Sequence, residues 1–424
     1  MNVLIVNAIM IGDNNATGVT MQNMLLNMEG VRFLQFCIDY QVNAHKQLVD
    51  TIFLSPNDSI SDYLINGIKQ KKKGSKITGS ENAVVTSANN GSTLGEIIKG
   101  FCDSLPCRIS SENLTAIKNF APDIIYTMGA NIRVMRIAKR LSDYFDAPIV
   151  FHCMDDWRST KYMRSSFSRP FNCILRKEIY EINKRSIINL GICKKMADFY
   201  ACEYQKPYSF ASNCVFEFNE EPYSPDPSES MKIIFSGGLH FHRGEKLKQV
   251  GELVERLNNQ GCAIELRIYA PKEQANQFAK VYHDLVHTEC LPYVEKSMQM
   301  ENLKTADVLL HVESDDDSDK KHMKYSFSTK LVEYFAAARA VVGFGDKQLS
   351  SIEYIDEMNC GMVAENIQEL EQCFVQLYGD LEQRKQFANN ALRTAVACHS
   401  QNAVQNRILE VFQKSLKHSK EGTK

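Results

Sequence analysis

The sequence lacks long apolar runs, paired cysteine motifs and a surplus of either charge, and each absence excludes a class of protein. No run approaches the ~18 apolar residues of a membrane-spanning helix. The 13 cysteines are scattered singly, without a C-x-x-C pair and with an odd total, so neither a disulfide framework nor a zinc site is indicated. A formal net charge of −2 does not suit a general nucleic-acid binder. The N-terminal MNVLIVNAIM has no basic region before its apolar run, so we expect a cytoplasmic protein rather than a secreted one.

The 424 residues do contain a regular alternation of short apolar runs with helical patterns, which is typical of parallel sheets covered by helices on both faces. The predicted strands are residues 2–7, 33–37, 124–127, 149–152, 188–192, 232–236, 265–269, 308–312 and 340–344. From 370 to 416 the pattern is helical only, and no fixed-period repeat is visible.

This alternation predicts an α/β protein of two Rossmann-like domains that face a central cleft. The acidic, proline-containing segment 216–230 is typical of a linker. We therefore assign residues 1–215 to the first domain and 231–395 to the second. Residues 396–424 are predicted to form a C-terminal helix that crosses back to the first domain.

The segment YSFSTKLVEYFAAARAVVGFG, residues 325–345, predicts an anion-binding helix followed by a buried strand. Ser328 is a good N-cap residue, and the unpaired N–H groups of the first turn, the helix dipole and Lys330 together suit a diphosphate. Thr329 and Glu333 share one face, where a carboxylate one turn below the anion could accept hydrogen bonds from both ribose hydroxyls. The segment therefore indicates a nucleotide-sugar site, and an ordinary amphipathic helix is the alternative.

The same segment resembles the donor-binding helix of GT-B glycosyltransferases, particularly retaining family 4 (glycosyl transferases group 1), in its S-T-K-L-x-E-Y variant. The second glutamate of that family's E-x7-E signature falls on Glu333, whereas Tyr325 occupies the first position. Ala338 and Ala340 stand where the family has a glycine and a proline. The resemblance implies a GT-B fold and metal-independent, retaining transfer from a nucleoside diphosphate sugar, of UDP or GDP type, without a cofactor.

The second domain opens with IIFSGGLHFHRGEKL, a strand followed by a glycine turn. Gly237 and Gly238 allow the backbone to come close to a ligand, and Arg243 is placed to meet the same diphosphate as Lys330. The family resemblance implies that Arg243 takes the place of a lysine, while the family's arginine is missing. A β–α turn with an exposed arginine is the alternative. An oxidoreductase is disfavoured, since the turn is not G-x-G-x-x-G.

The resemblance also implies that Tyr293 and Val294, in LPYVEK, hold the nucleotide base through backbone groups. A packing role for Tyr293 is the alternative.

In the first domain, the polar loop ending at Gly18 resembles the family's glycine loop, although a plain helix start explains it equally well. His152 ends a predicted strand in the manner of the family's Phe-His strand end. The resemblance implies that this histidine contacts the donor sugar or the reacting region, and a structural histidine is the alternative. Asp155 and Asp156 could orient an acceptor hydroxyl, or could be a solvated pair.

Two charged clusters remain. Five lysines suit either an anionic membrane surface or a solvated loop: Lys69, Lys71, Lys72, Lys73 and Lys76. The acidic run ESDDDSD, residues 313–319, lacks the glycine of an EF-hand, so we expect an exposed loop without a metal.

Together these features predict a glycosyltransferase that uses a nucleoside diphosphate sugar. The resemblance implies a hexosyltransferase-type enzyme that acts on a glycan or lipid-linked acceptor in surface polysaccharide or glycolipid assembly. Arg243, Lys330 and the helix N-terminus would stabilise the leaving diphosphate, and no nucleic acid is expected as a partner. Two alternatives stay open. One is a sugar-nucleotide epimerase or hydrolase on the same fold, and the other is a catalytically degenerate GT-B binding subunit.

Overall fold

The computed structural model describes residues 1–12, 16–38, 49–54, 93–225 and 229–421. The chain divides into two compact units, one comprising Met1–Ala211 with Arg407–Lys424 and the other Ser212–Asn406. In each unit the described strands form one parallel sheet that is flanked by helices.

The first unit contains a parallel sheet with the strand order β3-β2-β1-β4-β5-β6-β7. Its described strands are β1 Asn2–Asn7, β2 Arg32–Cys37, β3 Asp50–Phe53, β4 Ile124–Thr127, β5 Ile149–Cys153, β6 Asn189–Gly191 and β7 Tyr208–Phe210. Its described helices are α1 Ala16–Leu25, α2 Thr93–Ser104, α3 Ser111–Phe120, α4 Ile132–Phe145, α5 Trp157–Thr160, α6 Arg169–Arg185 and α7 Lys194–Tyr204. The order reverses between β1 and β4, and open α/β sheets bind ligands at the carboxyl edge beside such a reversal.

The second unit repeats this plan with the order β10-β9-β8-β11-β12-β13. Its described strands are β8 Met231–Ser236, β9 Ile264–Ala270, β10 Thr288–Pro292, β11 Val308–Val312, β12 Ala340–Phe344 and β13 Gly361–Ala364. The described α-helices from here to the C-terminus are α8 Arg243–Asn259, α9 Lys272–Ala279, α10 Gln299–Lys304, α11 Asp317–Met323, α12 Thr329–Ala336, α13 Ser350–Glu357, α14 Ile367–Gly379, α15 Leu381–Thr394 and α16 Gln401–Glu421.

Both faces of the second sheet are buried, because neighbouring residues of each strand point to opposite sides. Ile233 and Phe235 of β8 pack in one core with Leu247 of α8. Ile234, between them, packs in the other core with Phe335 of α12. This two-sided burial explains why the strands appear in the sequence as continuous apolar runs.

The nine predicted strands are confirmed to within two residues at each end, and the described residues add β3, β7, β10 and β13. The helical pattern from 370 to 416 is also confirmed. Part of segment 216–230 packs on the second unit, since the Asn219 N–H donates to Ala336 O at 2.8 Å. The end of α16 belongs to the first unit, where Phe412 contacts the Tyr126 ring. Among the described residues, no helix has the length and apolar character needed to cross a membrane.

Candidate functional site

The start of α12 has the geometry expected of an anion-binding turn. Ser328 is extended at the N-cap position and its side chain makes no capping bond, while its N–H donates to Ser351 Oγ at 3.0 Å. Leu331 and Phe335 bury the inner face of the helix. The Leu331 N–H donates to Ser328 O at 3.2 Å, and because the Ser328 hydroxyl makes no capping bond, the N–H groups of Thr329 and Lys330 remain suited to an anion.

Glu333 lies one turn further along, within a small group of polar side chains. Its Oε2 accepts hydrogen bonds from Lys330 Nζ at 2.9 Å and from Gln299 Nε2. The Lys330 ammonium lies 5.7 Å from the centroid of the Tyr293 ring. Burial and the nearby Glu333 raise the pKa of Tyr293 to about 12. The predicted lysine, glutamate and tyrosine are therefore together, whereas Gln299 gave no signal in the sequence because its contact with Glu333 depends on tertiary folding.

The glycine turn after β8 is tied to this helix. The Ser236 N–H donates to Tyr334 Oη at 2.7 Å, and the Gly237 N–H donates to Tyr269 O at 3.0 Å. A Cβ atom at Gly238 would lie 2.5 Å from the His240 ring, so a side chain there would displace that ring. The second glycine thus permits a close approach of the chain within the turn.

Arg243, the first residue of α8, is held by groups at the end of β11. Its Nε donates to Val312 O at 3.0 Å, and its Nη2 contacts Glu313 Oε2 at 2.5 Å. Glu313 Oε1 in turn lies 3.0 Å from His311 Nε2. Burial would raise the pKa of Glu313, but the charge of Arg243 and the contact with His311 outweigh it and lower this pKa to about 2. Arg243 is thus fixed and paired, with 14% of its side chain exposed, unlike the exposed arginine of the alternative interpretation.

The prediction that residues 313–319 form an exposed loop is correct only for the middle of the segment, where residues 315–318 are exposed. Glu313 and Asp319 are buried, and α11 begins at Asp317. Glu313 continues directly from a buried strand, and pairing with Arg243 allows its charge to be buried. Asp316 caps α11, and Asp319 Oδ2 contacts His242 Nδ1 at 2.9 Å. Side-chain atoms of Asp316, Asp319 and His242 that could bind a metal ion lie within 4.8 Å of one another. The N-cap hydrogen bonds of Asp316 and the contact between Asp319 and His242 explain this grouping.

Tyr293 and Val294 follow β10 at the carboxyl edge. The Tyr293 N–H donates to Ala270 O at 2.9 Å, while its side chain is exposed beside Lys330. Val294 packs against the core that contains α12. A base held here would therefore use backbone groups other than the Tyr293 N–H.

In the first unit, Gly18 and His152 both lie inside the structure. Gly18 is buried in the first turn of α1, which begins at Ala16, rather than in a loop. His152 is fully buried: Tyr126 Oη lies 2.6 Å from Nδ1 and Ala211 O lies 3.0 Å from Nε2. Burial lowers the pKa of His152 to about 4. The imidazole is therefore neutral at pH 7, and a ligand contact would need one of its two hydrogen bonds to break.

The two aspartates after β5 differ in environment. Asp156 is buried and accepts a hydrogen bond from Tyr200 Oη at 2.6 Å. Asp155 is partly exposed, and burial raises its pKa to about 6 although Lys161 opposes the shift. Burial, followed by the charge of Lys99, lowers the pKa of Lys161 to about 8. Groups with perturbed pKa values at the carboxyl edge of a sheet are typical of functional sites, which favours Asp155 and adds Lys161, a residue that the sequence did not single out.

The predicted site residues thus fall into two sets. Nine lie around the carboxyl edge of the second sheet and the start of α12: Gly237, Gly238, Arg243, Tyr293, Val294, Ser328, Thr329, Lys330 and Glu333. Four lie in the first unit: Gly18, His152, Asp155 and Asp156. The lysine cluster at residues 69–76 lies outside the described residues.

The sequence matches no protein-family profile and no curated protein. The structure, in contrast, is similar along nearly its whole length to several solved structures. Anabaena HepE in complex with UDP aligns with a TM-score of 0.59 at 11% identity, covering 97% of this chain and 100% of that one. Sucrose-phosphate synthase from Thermosynechococcus elongatus aligns with a TM-score of 0.61 at 9% identity, covering 97% and 98%. WaaG, described as a glycosyltransferase involved in lipopolysaccharide biosynthesis, aligns with a TM-score of 0.54 at 12% identity, covering 97% and 98%. At such low identity the likeness shows the fold alone, and that fold is GT-B.

Proposed function

We propose that this protein is a glycosyltransferase that moves a sugar from a nucleoside diphosphate sugar to an acceptor hydroxyl. The observation that carries the proposal is the grouping of Lys330, Glu333 and Tyr293 at the start of α12, beside the glycine turn and Arg243. The fold supports it, because the GT-B protein HepE has been solved with UDP and with UDP-glucose.

In the proposed complex, the diphosphate lies at the N-terminus of α12. The first-turn N–H groups, Lys330 and Arg243 stabilise the charge that develops on the leaving diphosphate, which is the largest electrostatic demand of the reaction. Glu333 accepts hydrogen bonds from the ribose hydroxyls, which replace or share its present bonds to Lys330 and Gln299. Backbone groups near Tyr293 and Val294 hold the base.

In the first unit, Asp155 orients the acceptor hydroxyl. Its pKa of about 6 leaves it largely ionised at pH 7 while still able to accept a proton. Asp156 supports this turn through its bond with Tyr200. The predicted contacts of Gly18 and His152 with the donor remain part of the proposal, as does a peripheral membrane contact through the lysine cluster.

We further propose that the donor is a UDP or GDP sugar, that the transferred group is a hexosyl group, and that transfer retains the anomeric configuration and needs no metal ion. The enzyme would act in the cytoplasm, in surface polysaccharide or glycolipid assembly. These details extend the family resemblance of residues 325–345, in which Glu333 keeps the second position of the glutamate signature and Tyr325 replaces the first. The description of WaaG as a lipopolysaccharide enzyme supports a glycan or lipid-linked acceptor.

Thermal unfolding with UDP, GDP, ADP and CMP tests the donor site, because a ligand that binds only the folded state must raise its stability. We expect one nucleoside diphosphate to raise the melting temperature of the wild type. The shift should be lost in Glu333→Ala and kept in Glu357→Ala, which removes an exposed carboxylate at the end of α13. No shift with any nucleotide, or equal shifts in all three proteins, would refute the proposed site.

One observation favours the degenerate binding subunit as a second candidate: Arg243 is already neutralised by the buried Glu313. Incubation of the protein with the matching nucleotide sugar and a panel of acceptors distinguishes a glycosyltransferase from a binding subunit and from a hydrolase or epimerase. Transfer to an acceptor supports the enzyme, and NMR of the product reports the anomeric configuration. Nucleotide binding without turnover supports the subunit, and turnover without an acceptor supports a hydrolase or epimerase.

A further inference from the structure

His399 is a buried histidine of the second unit, outside the residues assigned above to the donor site. It ends the π-helical turn Ala395–His399, shortly before α16, and is 1% exposed. π-Helical turns are rare in proteins and are frequently found at functional sites. Both ring nitrogens have hydroxyl partners, since Ser212 Oγ lies 2.8 Å from Nδ1 and Tyr354 Oη lies 3.0 Å from Nε2. The ring is therefore held in one orientation.

The tyrosine that His399 binds lies on α13, and the first turn of α13 is attached to the segment before α12. Ser350 and Ser351 begin α13 and are buried. Ser350 donates to Lys324 O twice, through its N–H at 3.3 Å and through its hydroxyl at 2.8 Å. The Ser351 hydroxyl accepts from the Ser328 N–H at 3.0 Å. Both ends of residues 324–328 are therefore attached to α13.

An aromatic cluster also joins α12, α13 and His399. The Phe327 ring, next to the N-cap of α12, is stacked on the His399 ring with centroids 5.8 Å apart and an interplanar angle of 15°. The Tyr354 ring meets the Phe327 ring edge-on at 5.2 Å. Phe335 of α12 packs against Tyr354 at 6.0 Å and against His399 at 6.5 Å. His399 thus contacts the residue before the N-cap both directly and through Tyr354.

A polar ring at this place does more than fill volume. Buried groups that share hydrogen bonds specify one arrangement, because any other arrangement leaves a donor or acceptor without a partner. The N–H groups of Thr329 and Lys330 are most useful to a diphosphate when they are oriented before it arrives.

We propose that His399 is a positioning residue for the donor site. Its bond to Tyr354 holds α13, and α13 holds residues 324–328 so that the first turn of α12 presents its N–H groups to the diphosphate. This role rests on the proposed function, because it concerns the same nucleotide site.

Nucleotide affinity tests the role, because it distinguishes an oriented turn from a stable core. Isothermal titration calorimetry of the full-length protein with UDP, GDP and ADP identifies the nucleotide that the wild type binds. His399→Phe keeps an aromatic ring but removes both hydrogen bonds, and should weaken binding of that nucleotide about tenfold, the size of one buried hydrogen bond. His399→Gln keeps an amide that can donate to or accept from Tyr354, so it should restore most of the affinity.

A double-mutant cycle shows whether the effect passes through Tyr354. Tyr354→Phe removes the hydroxyl that bonds His399 Nε2, and should also weaken nucleotide binding about tenfold. The double variant His399→Phe/Tyr354→Phe should bind as each single variant does, because both substitutions remove the same bond; independent effects would multiply to about a hundredfold. Tyr354→Phe, the smaller change, decides the result if His399→Phe fails to fold.

Thr394→Val is the matched control, because it removes a buried hydroxyl that contacts Cys360 Sγ, at 3.5 Å, rather than Tyr354 or residues 324–328. Cys360 belongs to the core against which Phe327 and Tyr354 pack. Thr394→Val should lower the melting temperature and leave nucleotide affinity unchanged.

Three results would overturn the role of His399. They are nucleotide binding by His399→Phe or Tyr354→Phe as tight as that of the wild type, an equal loss of affinity in Thr394→Val, and effects that multiply in the double variant. If the wild type binds no nucleoside diphosphate, the proposed function is refuted together with this role. If the wild type binds one and the variants bind it equally tightly, only the role of His399 is refuted.

Discussion

Replacing Glu313 by glutamine is the sharpest test of how the candidate site is held together. The substitution keeps the size of the side chain and one carbonyl acceptor, but it removes the charge that Arg243 Nη2 contacts at 2.5 Å. Both partners are largely buried, with 14% of the arginine side chain and 4% of the glutamate side chain exposed. Water therefore cannot compensate the arginine when its partner is lost.

The size of the effect follows from the pKa of Glu313. Its decrease from 4.5 to about 2 on folding corresponds to about 3 kcal/mol of stability at pH 7, at ~1.4 kcal/mol per pH unit. Because the folded-state pKa is the lower one, this stability is fully present above pH 4.5 and is lost as the pH falls towards 2. We therefore expect Glu313→Gln to lower the melting temperature at neutral pH by about 6–12 °C, and by about half as much near pH 3.

Calorimetry of both proteins at pH 7 and pH 3 measures this difference. Glu382→Gln is the matched control, since its pair with Lys385 is exposed on both sides, at 81% and 38%, and should contribute under ~1 kcal/mol. A melting temperature of Glu313→Gln within about 2 °C of the wild type at pH 7 would refute the role assigned to the pair. An equally large difference at pH 3 would show that packing, not charge, is responsible.

Two further pairs of substitutions test one position with a perturbed pKa and one with a strained backbone. Burial raises the folded-state pKa of Asp155 from 3.8 to about 6, so the wild type loses stability as the pH rises through this interval. Asp155→Asn should therefore be more stable at pH 8, by up to about 3 kcal/mol at ~1.4 kcal/mol per pH unit, while sugar transfer falls. Asp156→Ala should be less stable, because Tyr200 loses its hydrogen-bond acceptor. Calorimetry measures the stability of both variants, and a transfer assay measures their activity. Ala338 has φ +55°, so Ala338→Gly should be about 1 kcal/mol more stable in urea unfolding, and Ala337→Gly, at φ −71°, should be less stable.

The strands that the sequence did not reveal share one property: they are the edges of the two sheets. β3 and β7 are the outer strands of the first sheet, and β10 and β13 are those of the second. Central strands bury both faces and appear as apolar runs, whereas an edge strand such as TECLP of β10 is partly exposed and tolerates proline. Apolar runs therefore predict the centre of a parallel sheet better than its borders.

The contacts within the candidate site could also be predicted only in part from the sequence. Lys330 and Glu333 are neighbours along one helix, so their closeness follows from helical periodicity. The pairing of Arg243 with Glu313 joins residues that are distant in sequence and meet only because β8 and β11 are adjacent in the sheet. The one local signal was that Glu313 directly continues a buried strand, two residues after His311 on the same side, as a side-chain period of two requires.

The paired charges at the carboxyl edge of the second sheet bear on how a donor would be recognised. Arg243 is paired with Glu313, Lys330 with Glu333, and Lys246 with Asp315 at 2.6 Å. Pairing reduces the long-range attraction for a diphosphate, but it fixes the cations before a ligand arrives. Stabilisation of a leaving group depends on donors that are already oriented, because reorientation during the reaction would consume much of the gain. The buried Glu313 therefore holds Arg243 in place. In the proposed complex, the more exposed Glu333 would exchange its bond to Lys330 for hydrogen bonds from a ribose.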